Sequence, residues 1–262
     1  MAVIALTSAS GSPGVTTTAL GLALSRSRPT LLVDADPTGG SAYLAGYLRG
    51  QITPPDALID LYMASTTGRL RETLPQVLVP IPDSKVSLLP GMRSHVQAEA
   101  LNPLWDPLLS ALKALAGTGQ DVIVDLGRLG LAGSARQIAR GADLTLLVVR
   151  SDLVALAGAR SWATTVAAEA EEAGAGSATG LLVVGPGRPY AAKEIPQVLG
   201  LPLVTSVEWD PKAAGAFSAG QQVRKLGQSA LVRSLQRADT AIAAVIQQGR
   251  AELSVTETKG GS

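Results

Sequence analysis

The stretch Val3-Ile4-Ala5-Leu6-Thr7-Ser8-Ala9-Ser10-Gly11-Ser12-Pro13-Gly14-Val15-Thr16-Thr17-Thr18-Ala19-Leu20-Gly21-Leu22-Ala23-Leu24 decides how the rest of the chain is read. An apolar strand from Val3 to Leu6 runs into a loop of small residues, and a helical pattern from Thr16 to Ser25 follows. Such a junction makes an anion site, because glycines let backbone N–H groups converge while the helix dipole adds partial positive charge. The threonine run supplies a hydroxyl where a phosphate loop places a ligand for Mg²⁺. A tight strand-to-helix turn with no ligand is equally compatible with this loop taken alone.

Residues further along decide between these readings. The second strand ends in Leu31-Leu32-Val33-Asp34-Ala35-Asp36-Pro37, which sets two carboxylates at a strand terminus beside the loop. A later strand, Asp121-Val122-Ile123-Val124-Asp125-Leu126-Gly127, also ends in an acid followed by glycine, the form of a Walker B strand. Acids at strand ends beside a Gly/Thr loop suit a Mg²⁺–nucleotide site, reached directly or through water. A dinucleotide-binding reading would place Asp34 about twenty residues beyond the loop, but the loop lacks G-x-G-x-x-G. The Walker A pattern G-x-x-x-x-G-K-[ST] is itself incomplete: Gly14 and Thr16 match, while Ala9 and Val15 stand at the first glycine and the lysine.

Apolar runs recur outward from this core at Val86–Leu89, Leu144–Val149, Leu181–Val184 and Leu203–Val207. They barely alternate, as expected of central parallel strands covered on both faces. Helical patterns lie between them at Pro103–Ala116, Ser134–Arg140, Val154–Ala173 and Ala191–Leu199. The alternation predicts an α/β fold: a doubly wound, mainly parallel sheet with helices on both faces. We expect a single domain over residues 1–253. Residues 50–85, with short helical pieces at Asp56–Met63 and Leu70–Leu74, read as an insertion over a sheet edge. A helix over Ser229–Leu253 presents Leu231, Leu235, Ala238, Ile242, Val245 and Ile246 for docking, and residues 254–262 are expected to be a disordered tail.

Composition excludes much other chemistry. The 262 residues contain no Cys and one His (His95), which removes thiol catalysis, disulfides and multi-histidine metal sites. Lys and Arg number 22 against 21 Asp and Glu, for a net charge of +1, so no basic field points to nucleic acid. No apolar run approaches a membrane span, and the N-terminus lacks a basic leader region, so the cytoplasm is the expected location.

The combination resembles the ParA/MinD family of deviant-Walker P-loop ATPases over nearly the whole chain. Ser10-Gly11-Ser12-Pro13-Gly14-Val15-Thr16-Thr17 aligns with the family's K-G-G-x-G-K-T-T, and Val33-Asp34-Ala35-Asp36-Pro37 with its V-D-x-D-P element. Ala142–Asp152 and Val207–Ala214 resemble two later strand-and-loop segments. Gly-Ser-Pro-Gly-Val-Thr-Thr is most similar to divergent TadZ/CpaE-type members of tight-adherence pilus systems. The resemblance implies ATP or ADP held by Gly11, Ser12, Pro13, Gly14, Val15, Thr16 and Thr17. It implies Mg²⁺ near Thr16, Asp34 and Asp125, with Asp36 and Asp125 as catalytic carboxylates. It also implies a homodimer serving a pilus or secretion machine.

The departures qualify what is expected. Val15 and Ser10 stand where the family has its two phosphate-touching lysines, and the first lysine of this chain is Lys85. A P-loop lysine stabilises charge on the transferred phosphoryl group, so hydrolysis is expected to be weak or absent. Arg128 and Arg150 are the candidate replacement cations, which leaves open an ATPase with a displaced arginine. A scaffold that binds no nucleotide is the other reading. The polar C-terminus lacks the bulky basic amphipathic character of a membrane-targeting helix. Arg224, Lys225, Arg233 and Arg237 read as a solvated face rather than a DNA-binding patch.

Overall fold

The computed structural model describes the backbone of residues 1–174 and 178–260, and the side chains of those residues other than 116, 173 and 252–260. The first half of the chain runs β1 (Val3–Ser8), α1 (Val15–Ser25), β2 (Thr30–Asp34), α2 (Ala57–Thr66), α3 (Leu70–Thr73), β3 (Val79–Pro80), β4 (Val86–Leu89), α4 (Trp105–Gly117) and β5 (Asp121–Arg128). It continues through α5 (Arg136–Gly141), β6 (Leu144–Arg150), α6 (Leu153–Ala173), β7 (Ala178–Val184), α7 (Ile195–Leu199), β8 (Leu203–Val207), α8 (Pro211–Ala219) and α9 (Ala230–Gly260).

The strands form one sheet in the order β3-β4-β2-β5-β1-β6-β7-β8. Every pairing is parallel except the two-residue edge pairing of β3 with β4. The doubly wound α/β expectation therefore holds. Strand β1 lies between β5 and β6, where the winding direction changes, and ligands of open α/β sheets bind beyond strand C-termini at such a point.

Burial on both faces explains why the strands read as unbroken apolar runs. Ile4 and Leu6 of β1 join a core with α1, α8 and α9, while Val3 and Ala5 join one with α2, α4 and α5. A third cluster packs Leu147, Val149, Leu181 and Val183 under α6 and α7. Opposite-face alternation along β1 is the period-two geometry of a strand.

The helix after residue 229 docks as expected, with Leu231, Leu235, Ala238 and Ile242 buried in the first core. A Cβ on Gly21 of α1 would stand 2.6 Å from Leu235 Cδ1, so the absence of a side chain there lets the two helices meet. Arg26 bridges Asp121 (3.2 Å) and Asp239 (2.6 Å), tying α9 to the start of β5. The helix is assigned as far as Gly260, past the Leu253 end read from the sequence. No Gly or Pro interrupts residues 251–259, so nothing in the local chemistry ends it earlier. Residues 261 and 262 lie outside the described residues.

Two further differences concern short elements. Pro211–Ala219 is a helix, started by Asp210, whose carboxylate accepts from Ala213 N–H at 3.0 Å with proline at the first turn. The stretch Ala191–Leu199, read as one helix, divides into a 3₁₀ turn at Ala192–Glu194 and the short α7. Among the described residues, no helix is long and apolar enough to cross a membrane.

Candidate functional site

The site is built at the C-terminal ends of β1, β2 and β5. The loop after β1 turns through left-handed backbone at Gly11 (φ +73°), Ser12 (φ +44°) and Gly14 (φ +101°), and Gly14 caps α1. Only glycine takes φ near +100° without strain, which accounts for Gly14. The first-turn amides of α1 therefore end at a concave loop, the geometry that receives an anion.

Opposite the loop, Asp34 and Asp125 are register partners on adjacent strands β2 and β5. Both are buried, at 3% and 0% exposure. Asp125 accepts from Gly127 N–H at 2.9 Å and from the Tyr43 hydroxyl at 2.8 Å, and the Thr16 hydroxyl is near enough to influence its charge. Burial raises the Asp125 pKa, and the nearby Thr16 hydroxyl, the Gly127 N–H and the Tyr43 hydroxyl oppose the rise. Asp34 is less well served. Burial first, and the neighbouring Asp125 charge second, push its pKa up to about 7. The Ser41 hydroxyl is near enough to lower that value, yet neither Ser41 Oγ nor Asp34 Oδ2 closes a hydrogen bond of normal geometry.

Asp36 stands at the edge of the group, where its Oδ1 accepts from Thr38 N–H at 2.9 Å. Two glycines permit this packing. A Cβ on Gly91 would lie 2.7 Å from Asp34 Cγ, and one on Gly127 (φ +63°) would lie 2.6 Å from Asp36 Oδ1. A cavity of about 450 Å³ is lined by Ser12, Gly14, Thr16, Asp36, Gly127 and Arg128 among others. A second, of about 380 Å³, runs from Ser12, Gly14 and Thr17 past Arg150 to Trp209 and Gln221.

Most residues expected at a nucleotide site thus converge. Ser12, Pro13, Gly14, Thr16 and Thr17 line the loop cavities, Asp34 and Asp36 line the space beside Thr16, and Asp125 lies close enough to the Thr16 hydroxyl to feel it. Gly11 shapes the turn. Val15 lines the larger cavity but is 6% exposed and belongs to the apolar core, so it offers shape and no charge. Ser10 packs against Gly158 of α6. His95 is exposed, as are Arg224, Lys225, Arg233 and Arg237. Tyr43, Ser41 and Gly91 are site residues that sequence reasoning missed. No motif marks them, because each contact with an acid is made through the fold.

The donor set can be tested against Mg²⁺. No group of three or more His, Cys, Asp or Glu side chains able to hold a metal by themselves occurs among the described residues. Mg²⁺ commonly uses one or two carboxylates plus water and phosphate oxygens, and this arrangement fits that pattern. The buried Asp34 Oδ2 lacks a hydrogen-bond partner, and burial is the first cause raising the pKa of both acids.

Loop, acids and sheet order together define a P-loop NTPase architecture. Within that class the chain has the ParA/MinD fold. It superposes on a ParA family ATPase from Chlorobium tepidum with a TM-score of 0.71, at 20% identity over 92% of this chain and 97% of that one. The septum site-determining protein MinD of Pyrococcus horikoshii, solved with Mg-ADP, gives a TM-score of 0.69 at 19% identity, covering 94% of this chain and 98% of that one. A variant of McdA from Cyanothece, solved as an ATP complex, gives 0.69 at 20% identity, covering 93% and 96%. No family model matches the sequence, and no curated protein matches it.

Proposed function

We propose that the chain is a ParA/MinD-like positioning or regulatory protein that binds ATP or ADP with Mg²⁺ through a loop without lysine and hydrolyses ATP weakly or not at all. The observation that carries this reading is the convergence of the left-handed Gly14 turn with Thr16 and the buried acids Asp34 and Asp125, at a loop whose lysine position is Val15. Gly14, Thr16 and Thr17 would hold phosphates. Thr16, Asp34 and Asp125 would hold Mg²⁺, with Asp36 beside the terminal phosphate. Bound Mg²⁺ supplies charge neutralisation for the phosphates. Solved proteins of the same fold with Mg-ADP or ATP support the ligand class.

In this reading the protein acts as a nucleotide-dependent homodimer in the cytoplasm and recruits a pilus or secretion machine, as its TadZ/CpaE-like loop suggests. A MinC:MinD complex on the same fold supports partner recruitment as a mode of action. Calorimetry and thermal melting with ATP, ADP and Mg²⁺ test the binding, and light scattering with and without ATP tests the dimer. No heat and no thermal shift at millimolar nucleotide would overturn it.

One observation favours a second reading, a scaffold that binds no nucleotide: the Tyr43 hydroxyl already occupies Asp125 Oδ2. An ATPase with a displaced arginine is the third, and phosphate release that disappears in Asp125→Ala identifies it.

A further inference from the structure

We propose that Arg150 is the phosphate-binding cation of this site, held in place by Trp209, and that it takes over the electrostatic role for which Val15 is unsuited. The inference rests on the nucleotide-binding reading above.

Arg150 ends β6, directly beside β1 in the sheet, and its guanidinium leans over the phosphate loop. Nη2 donates to the Ser12 carbonyl at 3.3 Å. The guanidinium carbon lies 4.8 Å from the centre of the Trp209 ring, within stacking range. Nε is buried and has no hydrogen-bond partner. Among the described residues Arg150 forms no ion pair with a carboxylate, although Glu208 and Asp210 line the same cavity. Its cavity neighbours include Ser12, Gly14, Thr17 and Thr18 of the loop and α1. The cation therefore faces the space that a nucleotide's phosphate chain would enter.

Arg128 is the alternative cation and has weaker credentials. It is exposed at the rim of the other cavity, with no bond to the loop. An arginine stacked on an indole has already lost much of its rotamer freedom, so less entropy is lost when it engages phosphate. Trp209 is accordingly a positioning residue. Its indole also lies 5.9 Å from the Arg188 guanidinium.

The test compares the unaltered chain with R150Q, R150K and the exposed α6 variant R160A, by calorimetric titration of ATP, ADP and adenosine with Mg²⁺. Glutamine keeps most of the side-chain length without the charge. We expect R150Q to weaken ATP and ADP by about ten- to hundredfold, as for loss of a charged hydrogen bond. R150K retains most of that affinity, adenosine binding is unaffected by either change, and R160A matches wild type. ATP affinity equal in R150Q and wild type, or equal in R150Q and R150K, overturns the proposal and leaves the nucleotide-binding reading intact. A parallel loss of adenosine binding in R150Q also overturns it, since that marks a structural role. Wild type that binds no nucleotide overturns both.

Discussion

The hydroxyl of Tyr43 donates to Asp125 Oδ2 at 2.8 Å across 82 residues of sequence, with both side chains buried. The bond gives a buried carboxylate one of its two hydrogen-bond donors, and it opposes the rise in the Asp125 pKa that burial causes. Tyr43→Phe removes the donor and leaves the shape. Hydrogen bonds to charged groups are worth about 1.5–3 kcal/mol, so we expect a loss of that size in urea denaturation of the ligand-free protein. Saturating Mg-ATP should shrink the difference, because a cation at Asp125 substitutes for the lost donor. A loss that is the same with and without Mg-ATP would place the Tyr43–Asp125 bond outside the ligand site.

Asp34 makes stability depend on pH in an unusual direction. Its folded-state pKa is about 7 against an ordinary 3.8, so the folded protein holds this proton more tightly than the unfolded chain. The resulting contribution favours folding below the unfolded value and is lost as pH rises through about 7. A shift of this size corresponds to about 4 kcal/mol between the two limits. Asp34→Asn keeps the shape and cannot ionise. Urea midpoints measured from pH 5 to 8 should therefore fall with rising pH more steeply in wild type than in D34N, with D34N the more stable at pH 8. Parallel profiles would contradict the burial assigned to Asp34.

Much of this site is legible in the amino-acid sequence, and the parts that are not share a physical character. The strands β1, β2, β5, β6 and β7 stand out because burial on both faces removes polar residues from them. Asp34 and Asp125 are recognisable because each is the acid at the end of such an apolar run. Helix α8 escapes the sequence reading although Asp210 and Pro211 start it: Gly215 and its small neighbours dilute the apolar pattern. Edge strand β3 is two residues long and contains Pro80, too little to register as a strand. Tyr43 lies in a π-turn (Tyr43–Tyr47) that carries no local signal. Its contact with Asp125, like that of Gly91 with Asp34, exists only once β2, β4 and β5 are side by side.

Gly127 links backbone geometry to Asp36. With φ at +63°, a Cβ at this position would come within 2.6 Å of Asp36 Oδ1, which leaves no room for a side chain. Gly127→Ala combines left-handed strain of about 1 kcal/mol with displacement of Asp36 from the cavity wall. We expect a modest drop in thermal stability together with a much larger loss of Mg-ATP affinity, measured by calorimetry. Unchanged affinity would remove Asp36 from the site.

Val15 provides the most direct test of what the loop retains. Its side chain lines the larger cavity while being 6% exposed in the core that includes Ala19 and Leu20. The backbone around it keeps the left-handed Gly14 cap and the converging amides, so the deficit at this position is one of charge. Val15→Lys would place an ammonium at the start of α1 within reach of the loop, where a phosphate chain can neutralise it. Without ligand the substitution exposes a cation to the helix's positive end and gives up apolar burial, so the free protein should melt at a lower temperature. With Mg-ATP the order should reverse, and affinity should rise by about tenfold or more, as expected for a new charge-assisted contact to phosphate. The two measurements belong together. A V15K protein that is destabilised when free and gains no affinity would mean that a side chain at this position does not reach a bound phosphate.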